Sequence, residues 1–217
     1  MSNLHISFNS IGFELHDGDQ FVSLYRSTEE LPRSEAPKPC FAPIYTPSGG
    51  LITEYRPPDH PWHTGLYFGW VHVNDANLWG GGWYIPDKKR YEDVPGTHGV
   101  QRHDRFSNPE VSERETAVVE ELTWLDASDD PLALEKRHFR FQQLDGGPGY
   151  LWMITSEITP AVEKLTLGAS RAARYSGFWI RTGPPFSDAQ HRSSDGLEGH
   201  EEIMGQNARW VSAAGAA

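Results

Sequence analysis

Short extended runs, separated by glycine- and proline-rich turns, constrain the fold of this 217-residue chain more than any other feature. Phe139 and Phe141 alternate with His138 and Arg140, which is the period of two that is typical of a β-strand. The chain is therefore predicted to be all-β, an antiparallel β-sandwich with long loops and little helix, in one domain over residues 1–217. The clearest strands are predicted at 100–106, 116–125, 134–143 and 150–158.

Turn signals place further elements in the same pattern. The dipeptide Asp17-Gly18 predicts one hairpin, and residues 47–50 predict the turn of a second. Residues 209–211 look like a strand with nothing after it to pair with, so we expect an edge strand or a chain that lacks further C-terminal strands. The other predicted elements are strands at 11–16, 20–25, 66–73, 162–167 and 177–182 and one helical turn at 198–204.

Composition narrows the partners and the compartment. Nineteen basic residues against 30 acidic ones give a net charge of −11, whereas nucleic acids and anionic membranes select basic patches, so neither is an expected partner. A single cysteine, Cys40, excludes an internal disulfide and is typical of a reducing compartment. The N-terminus shows no secretory signal, and no apolar run reaches the roughly 20 residues of a membrane helix. We therefore expect a soluble, cytoplasmic protein.

A proline-framed loop holds the leading candidates for chemistry. Asp59, His60 and His63 stand among prolines, which disfavour a helix, so the His-x-x-His spacing is not that of a helical metal motif. A loop can still direct two imidazoles to one point, where they would act as acid–base groups or bind one divalent metal ion. The alternative is that both histidines only form hydrogen bonds with loop carbonyls. No third metal ligand can be named from the spacing.

Aromatic residues are dense around and after this loop. Their rings could pack on the C–H faces of a sugar, and the alternative is that they belong to the core of the sandwich. Two more histidines lie in or beside a second long loop, predicted at residues 74–98, and are candidate third partners for the histidine pair. The predicted substrate-binding residues are Trp62, Trp79, Trp83, Tyr84, His98 and His103.

Four stretches together resemble a bacterial domain family labelled PmoA-like, or methane oxygenase PmoA. They are KPCFAPIYTPSG, RPPDHPWHTGLYFGW, NLWGGG and SDGLEGHEEIMGQNARWV, which span most of the chain from Lys38 onward. The resemblance implies an all-β fold in a soluble protein, often encoded among genes of sugar oxidation and carbohydrate breakdown. The chain differs from the family's pattern at Cys40, where an aromatic residue is usual, and in ending soon after ARWV.

The resemblance also includes a second patch, with Arg181 and the acidic residues Glu198, Glu201 and Glu202. A carboxylate beside an imidazole could serve as a general base, and an arginine could stabilise developing negative charge. We assign the general-base role to Glu202 and the stabilisation of negative charge to Arg181. The alternative for the acidic residues is a solvated turn.

The leading hypothesis is a carbohydrate-active enzyme that acts on a glycoside or oxidised sugar by hydrolysis, elimination or isomerisation. Its predicted catalytic residues are Asp59, His60, His63, Arg181 and Glu202, and a small sugar is its predicted partner, with an oligomer also possible. The alternatives are a non-catalytic carbohydrate-binding or complex-forming module and a metal-dependent oxygenase, as the family label states. A binding module needs the aromatic platform but not a histidine pair beside a carboxylate.

Overall fold

The structure is a computed structural model, and it describes residues 3–28, 30–145, 148–168 and 176–215. The first strands are β1 Leu4–Phe8, β2 Gly12–Asp17, β3 Gln20–Arg26, β4 Cys40–Ile44, β5 Leu66–Trp70, β6 His72–Val73, β7 Trp83–Ile85, β8 Arg90–Glu92 and β9 Val100–Phe106. They are followed by β10 Glu110–Val111, β11 Glu115–Leu125, β12 Pro131–Gln143, β13 Tyr150–Pro160, β14 Leu167–Gly168, β15 Ser176–Ile180, β16 Gln190–Ser193 and β17 Val211–Ala214. The helical elements are α1 His200–Ile203 and the 3₁₀ turns Pro86–Lys88 and Pro184–Phe186.

Two antiparallel sheets form the body of the chain. The first has the strand order β1-β2-β3-β4-β5-β15, and the second has the order β10-β11-β12-β13, with β9 also pairing with β11. Three small pairs, β14 with β6, β16 with β17 and β7 with β8, lie outside these sheets.

The main hydrophobic core lies between the two sheets. Along β12 the apolar side chains alternate with polar ones, so Phe139 and Phe141 are buried while Arg140 is exposed. Both sheets contribute to this core, as a sandwich requires, and the predicted fold class is confirmed. Its fully buried members are Leu4, Phe13, Leu15, Val22, Tyr25, Phe41, Ile44, Val118, Phe139 and Phe141.

A cluster of charged and polar side chains also lies inside the sandwich. Arg137 donates to Glu135 at 2.8 Å, to the Tyr25 hydroxyl at 3.0 Å and to Gln101 Oε1 at 2.9 Å. Tyr25 in turn donates its hydroxyl proton to Glu120. All five residues are at most 2% exposed. Burial raises the pKa of Tyr25 well above its usual value, so the phenol stays neutral and serves as a donor.

Most predicted strands are confirmed, including 100–106 as β9, but three predictions differ from the structure. The strand predicted at 66–73 is interrupted at Val71 and forms β5 and β6, which lie in different sheets. The strand predicted at 162–167 is limited to β14, because Asn74 forms hydrogen bonds with the backbone of Lys164 and Thr166 in place of a neighbouring strand. The strand predicted at 209–211 has a partner after all. It is β17, which pairs with the polar strand β16.

The helical elements of the part of the chain that the structure describes are all short. None of these helices combines the length and the apolar character that crossing a membrane requires.

Candidate functional site

The histidine loop consists of two consecutive turns. The backbone N–H of His60 donates to the carbonyl of Pro57 at 3.0 Å, and that of His63 donates to the carbonyl of His60 at 2.9 Å. Pro58 and Pro61 therefore each take the second position of a four-residue turn, where the fixed φ of proline is favoured. Because the turns share His60, residues 60 and 63 face the same side. The proline spacing thus produces the histidine pair.

The two imidazole rings stack instead of converging. Their centroids lie 4.8 Å apart and the ring planes are inclined by 16°. His60 Nδ1 lies 2.7 Å from Asp59 Oδ2, and this hydrogen bond is the main reason that the pKa of Asp59 is lowered. A carboxylate can only accept, so Nδ1 carries the proton and Nε2 carries the lone pair of the neutral ring.

Arg181 extends this pair into a chain of charges. Its Nη2 lies 3.8 Å from Asp59 Oδ2, and its Nε donates to Glu54 Oε2 at 3.2 Å. Glu54, Arg181 and Asp59 thus form a row of charges of alternating sign that ends at the His60 ring. The predicted grouping of Arg181 with the histidine loop is realised in this geometry. Glu54 was not predicted, because its role depends on a contact with a residue 127 positions away.

His63 forms the inner wall of the site. It is 7% exposed, and its burial lowers the pKa to about 4, an effect that the positive charge nearby reinforces. Among the residues that the structure describes, no hydrogen-bond partner reaches its Nδ1. His63 is therefore a neutral ring at ordinary pH, and it supports the outer ring of His60.

A buried lysine supports the loop from below. Lys38 Nζ donates to the carbonyl of Trp62 at 3.0 Å and also to that of Trp79, and it lies 4.3 Å from the centroid of the Tyr67 ring. Burial lowers the pKa of Lys38 to about 7. This side chain links the histidine loop to the glycine-rich segment that follows β6, and nothing in the local sequence signals that contact.

Glycines explain how that segment approaches the loop. A Cβ atom at Gly81 would lie 2.5 Å from the indole of Trp62, and one at Gly80 would lie 2.8 Å from the Cβ of Trp62. The Trp62 side chain therefore packs directly on the backbone. Its ring meets His60 edge to face, with 5.3 Å between centroids, and stays partly exposed beside it.

The other aromatic candidates pack against rings of the protein itself or form a hydrogen bond with it. Trp79 is 2% exposed and packs against Tyr67 and Trp179, so its ring is not available to a ligand. Trp83 donates through its indole N–H to Thr97 Oγ1 at 2.7 Å. Tyr84 packs against Tyr91 within the small β7–β8 hairpin, at 5.4 Å between centroids.

Among the described residues, no hydrogen bond joins the remaining predicted residues to the histidine loop. The ring of His98 is buried, and its Nε2 is 2.7 Å from the carbonyl oxygen of Gly81. His103 Nδ1 is 2.8 Å from Glu120 Oε1, at the edge of the buried polar cluster. Glu202 lies in the exposed helix α1, and no hydrogen bond or ion pair joins it to the loop among the described residues.

A shared metal site at His60 and His63 has little support. No group of three or more His, Cys, Asp or Glu side chains within residues 3–28, 30–145, 148–168 and 176–215 could hold a metal ion. Imidazole binds metals through lone pairs in the ring plane, and stacked rings hold those lone pairs side by side instead of aiming them at one point. The divalent metal therefore stays a prediction that this geometry does not favour.

Residues 13–217 match the family model described as a family of unknown function, DUF6807. The chain belongs to the DUF6807 family. The resemblance to a methane oxygenase family is therefore corrected, since the matched family has no known function and the match names no oxygenase. No curated protein and no solved structure matches the chain.

The match to DUF6807 assigns no residue roles, so the chemistry of the site has to follow from its geometry. His60 combines a partly exposed ring with an oriented tautomer and a carboxylate behind it. Such an arrangement can accept a proton at Nε2 and stabilise the resulting imidazolium.

Proposed function

We propose that this DUF6807 chain is an enzyme that acts on a small sugar or glycoside, with Asp59 and His60 as its acid–base pair. The hydrogen bond between His60 Nδ1 and Asp59 Oδ2 carries the proposal, because it fixes the tautomer that leaves Nε2 as a base. The His60 side chain is 44% exposed, so a ligand can reach it. His63 holds the ring from behind through the stacking contact.

Each neighbour supplies part of the chemistry. Asp59 offsets the positive charge that His60 gains when it takes a proton from a substrate hydroxyl, a C–H group or a water molecule. Arg181, held in place by Glu54, adds a cation beside the site that favours an oxyanion. Hydrolysis, elimination and isomerisation of a sugar all require such a proton transfer.

Trp62 supports a sugar as the ligand. Its indole lies next to His60, and a pyranose that rests its C–H face on the indole would bring a hydroxyl near the imidazole. A module that only binds carbohydrate would need a broader aromatic platform, and the burial of Trp79 removes a central part of it. The observations thus favour catalysis over binding alone.

The amino-acid composition supports a cellular compartment and a class of partner. We propose a cytoplasmic enzyme, and the single cysteine supports a reducing compartment. The charge of −11 supports a neutral, small partner over DNA or an anionic membrane. Salt-sensitive retention of DNA on a gel would contradict the proposal that DNA is not a partner.

The experiment measures turnover of a panel of glycosides and 3-keto-glycosides by the native chain and by His60→Ala. General acid–base catalysis is typically worth about 10²–10⁴-fold in rate, and the variant should lose that much. His138→Ala is the matched control, because His138 is also a partly exposed histidine near a carboxylate, 3.5 Å from Glu157. Its turnover should match that of the native chain.

Thermal unfolding of both variants establishes that they fold. A folded His60→Ala variant with full turnover would overturn the catalytic role of this pair. Asp59→Asn provides an independent check, since the amide can donate to the ring, favour the wrong tautomer and lower the rate without removing the imidazole.

A further inference from the structure

A cavity of about 270 Å³ lies against the chain segment that carries Lys38. Its walls come from the end of β3, the residues that lead into β4, Tyr55 and strand β9. Ligand pockets usually enclose roughly 300–1,000 Å³, so this cavity suits a ligand of monosaccharide size.

The lining of this cavity is basic although the chain is acidic. Arg26, Arg102 and His103 line it, and no Asp or Glu is among the described residues that do so. Arg102 is 56% exposed and also contacts Asp104 Oδ1, with its Nε at 3.0 Å. The Arg26 guanidinium is held over the Tyr55 ring, with 4.5 Å between its central carbon and the ring centroid.

The buried polar cluster holds the imidazole of His103 at the cavity wall. Glu120 and Glu135 are both buried, and Arg137 donates directly to Glu135, whereas Tyr25 lies between Arg137 and Glu120. His103 Nδ1 lies 2.8 Å from Glu120 Oε1, and this hydrogen bond fixes the position of the ring. The His103 side chain is 15% exposed, and it places its imidazole on the cavity wall.

Gln101 contributes a donor at the same wall. Its Oε1 accepts from Arg137, and a guanidinium cannot accept, so the orientation of the amide is fixed. Its Nε2 is then a buried donor for which the described residues offer no acceptor. An unsatisfied buried donor is unfavourable, and an acceptor in the adjacent cavity would relieve it.

We propose that this cavity binds a small organic anion through a carboxylate or phosphate group, at a site separate from the His60 loop. Oxyanions accept charge-assisted hydrogen bonds from arginine, and the lining offers Arg26 and Arg102 around one space of suitable size. The site is independent of the catalytic proposal, because it shares none of Asp59, His60 and Arg181.

Calorimetric titration with glucuronate and with glucose 6-phosphate tests this site. At least one of the two should bind, and the better ligand identifies a carboxylate or a phosphate as the recognised group. Arg102→Gln should weaken that binding about tenfold or more through the loss of one charge-assisted contact. Arg105→Gln is the matched control, since Arg105 is an exposed arginine of the same strand that pairs with Glu121 and does not line the cavity.

His60→Ala separates this site from the proposed catalytic one and should leave anion binding unchanged. His103→Gln gives a second variant on the cavity wall, with binding weakened as for Arg102→Gln. The proposal is overturned if neither anion binds at millimolar concentration. It is equally overturned if a bound anion is held as tightly by Arg102→Gln and His103→Gln as by the native chain.

Discussion

Replacing Lys38 by methionine should change how the stability of the chain depends on pH. The native ammonium is 4% exposed, and burial lowers its pKa from 10.5 to about 7. In the unfolded chain Lys38 keeps its proton up to its ordinary pKa. Between these two values the unfolded state binds more protons than the folded state, so the free energy of unfolding rises with pH. Methionine has a similar length and no proton to exchange.

The size of the change in unfolding free energy follows from the interval between the folded and unfolded pKa values of Lys38. One proton corresponds to about 1.4 kcal/mol per pH unit, which gives about 2 kcal/mol between pH 7 and pH 9 once partial titration near pH 7 is included. Below pH 7 the contribution of Lys38 levels off, because both states are protonated. Tyr150, whose pKa is raised to about 12, affects stability only at higher pH.

The assay is urea unfolding of the native chain and of Lys38→Met at pH 6, 7, 8 and 9. The variant loses the hydrogen bonds to Trp62 and Trp79, which shifts its curve by a constant amount, so the difference in slope is the diagnostic quantity. The native chain should gain stability relative to the variant as pH rises. Parallel pH dependences would refute the inference that folded Lys38 releases its proton near pH 7.

Two further substitutions test the buried polar cluster and the close approach of Gly65 to Phe41. Arg137→Met should lower the free energy of unfolding by about 3–5 kcal/mol, because it leaves buried carboxylates without their cation, and a loss below about 1 kcal/mol in urea unfolding would contradict this. Gly65→Ala should cost more than about 3 kcal/mol, since its Cβ would lie 2.2 Å from the carbonyl oxygen of Phe41. Gly49→Ala has a similar positive φ but open space around it, so it should cost only about 1–2 kcal/mol, and equal losses would refute the steric argument.

The fold class could be predicted because the evidence for it is local. Alternation in β12 and turn dipeptides such as Asp17-Gly18 specify strands and hairpins without reference to distant residues. The pairing of β17 with β16 could not be predicted, because β16 is polar and short and has no apolar period. Residues 162–166 appeared extended, but the Asn74 side chain binds their backbone, and a contact over about 90 positions leaves no local signal.

The candidate site was predicted only in part, for the same reason. The turns around Pro58 and Pro61 follow from the sequence and bring His60 and His63 together. Residue type alone could not separate an exposed ring from a buried one, so Trp79 was predicted as a ligand platform although it is core. Lys38 was missed because its role depends on tertiary contacts.

The arrangement of His60 did not follow from its spacing to His63. The spacing suggested two groups that meet at one point, as metal ligands do. The turns instead stack the rings, so that one imidazole supports the other. Which of the two would act on a substrate depends on burial, a property of the folded chain.

A crystal structure of the chain with a slowly processed glycoside bound is the most direct test of the catalytic proposal. The account predicts a sugar hydroxyl or glycosidic oxygen within about 2.6–3.2 Å of His60 Nε2, which is the reach of a general base. It also predicts that the sugar ring rests on the Trp62 indole and that Arg181 faces the reacting oxygen. A glycoside bound elsewhere, with His60 in contact only with solvent and Asp59, would contradict the proposal.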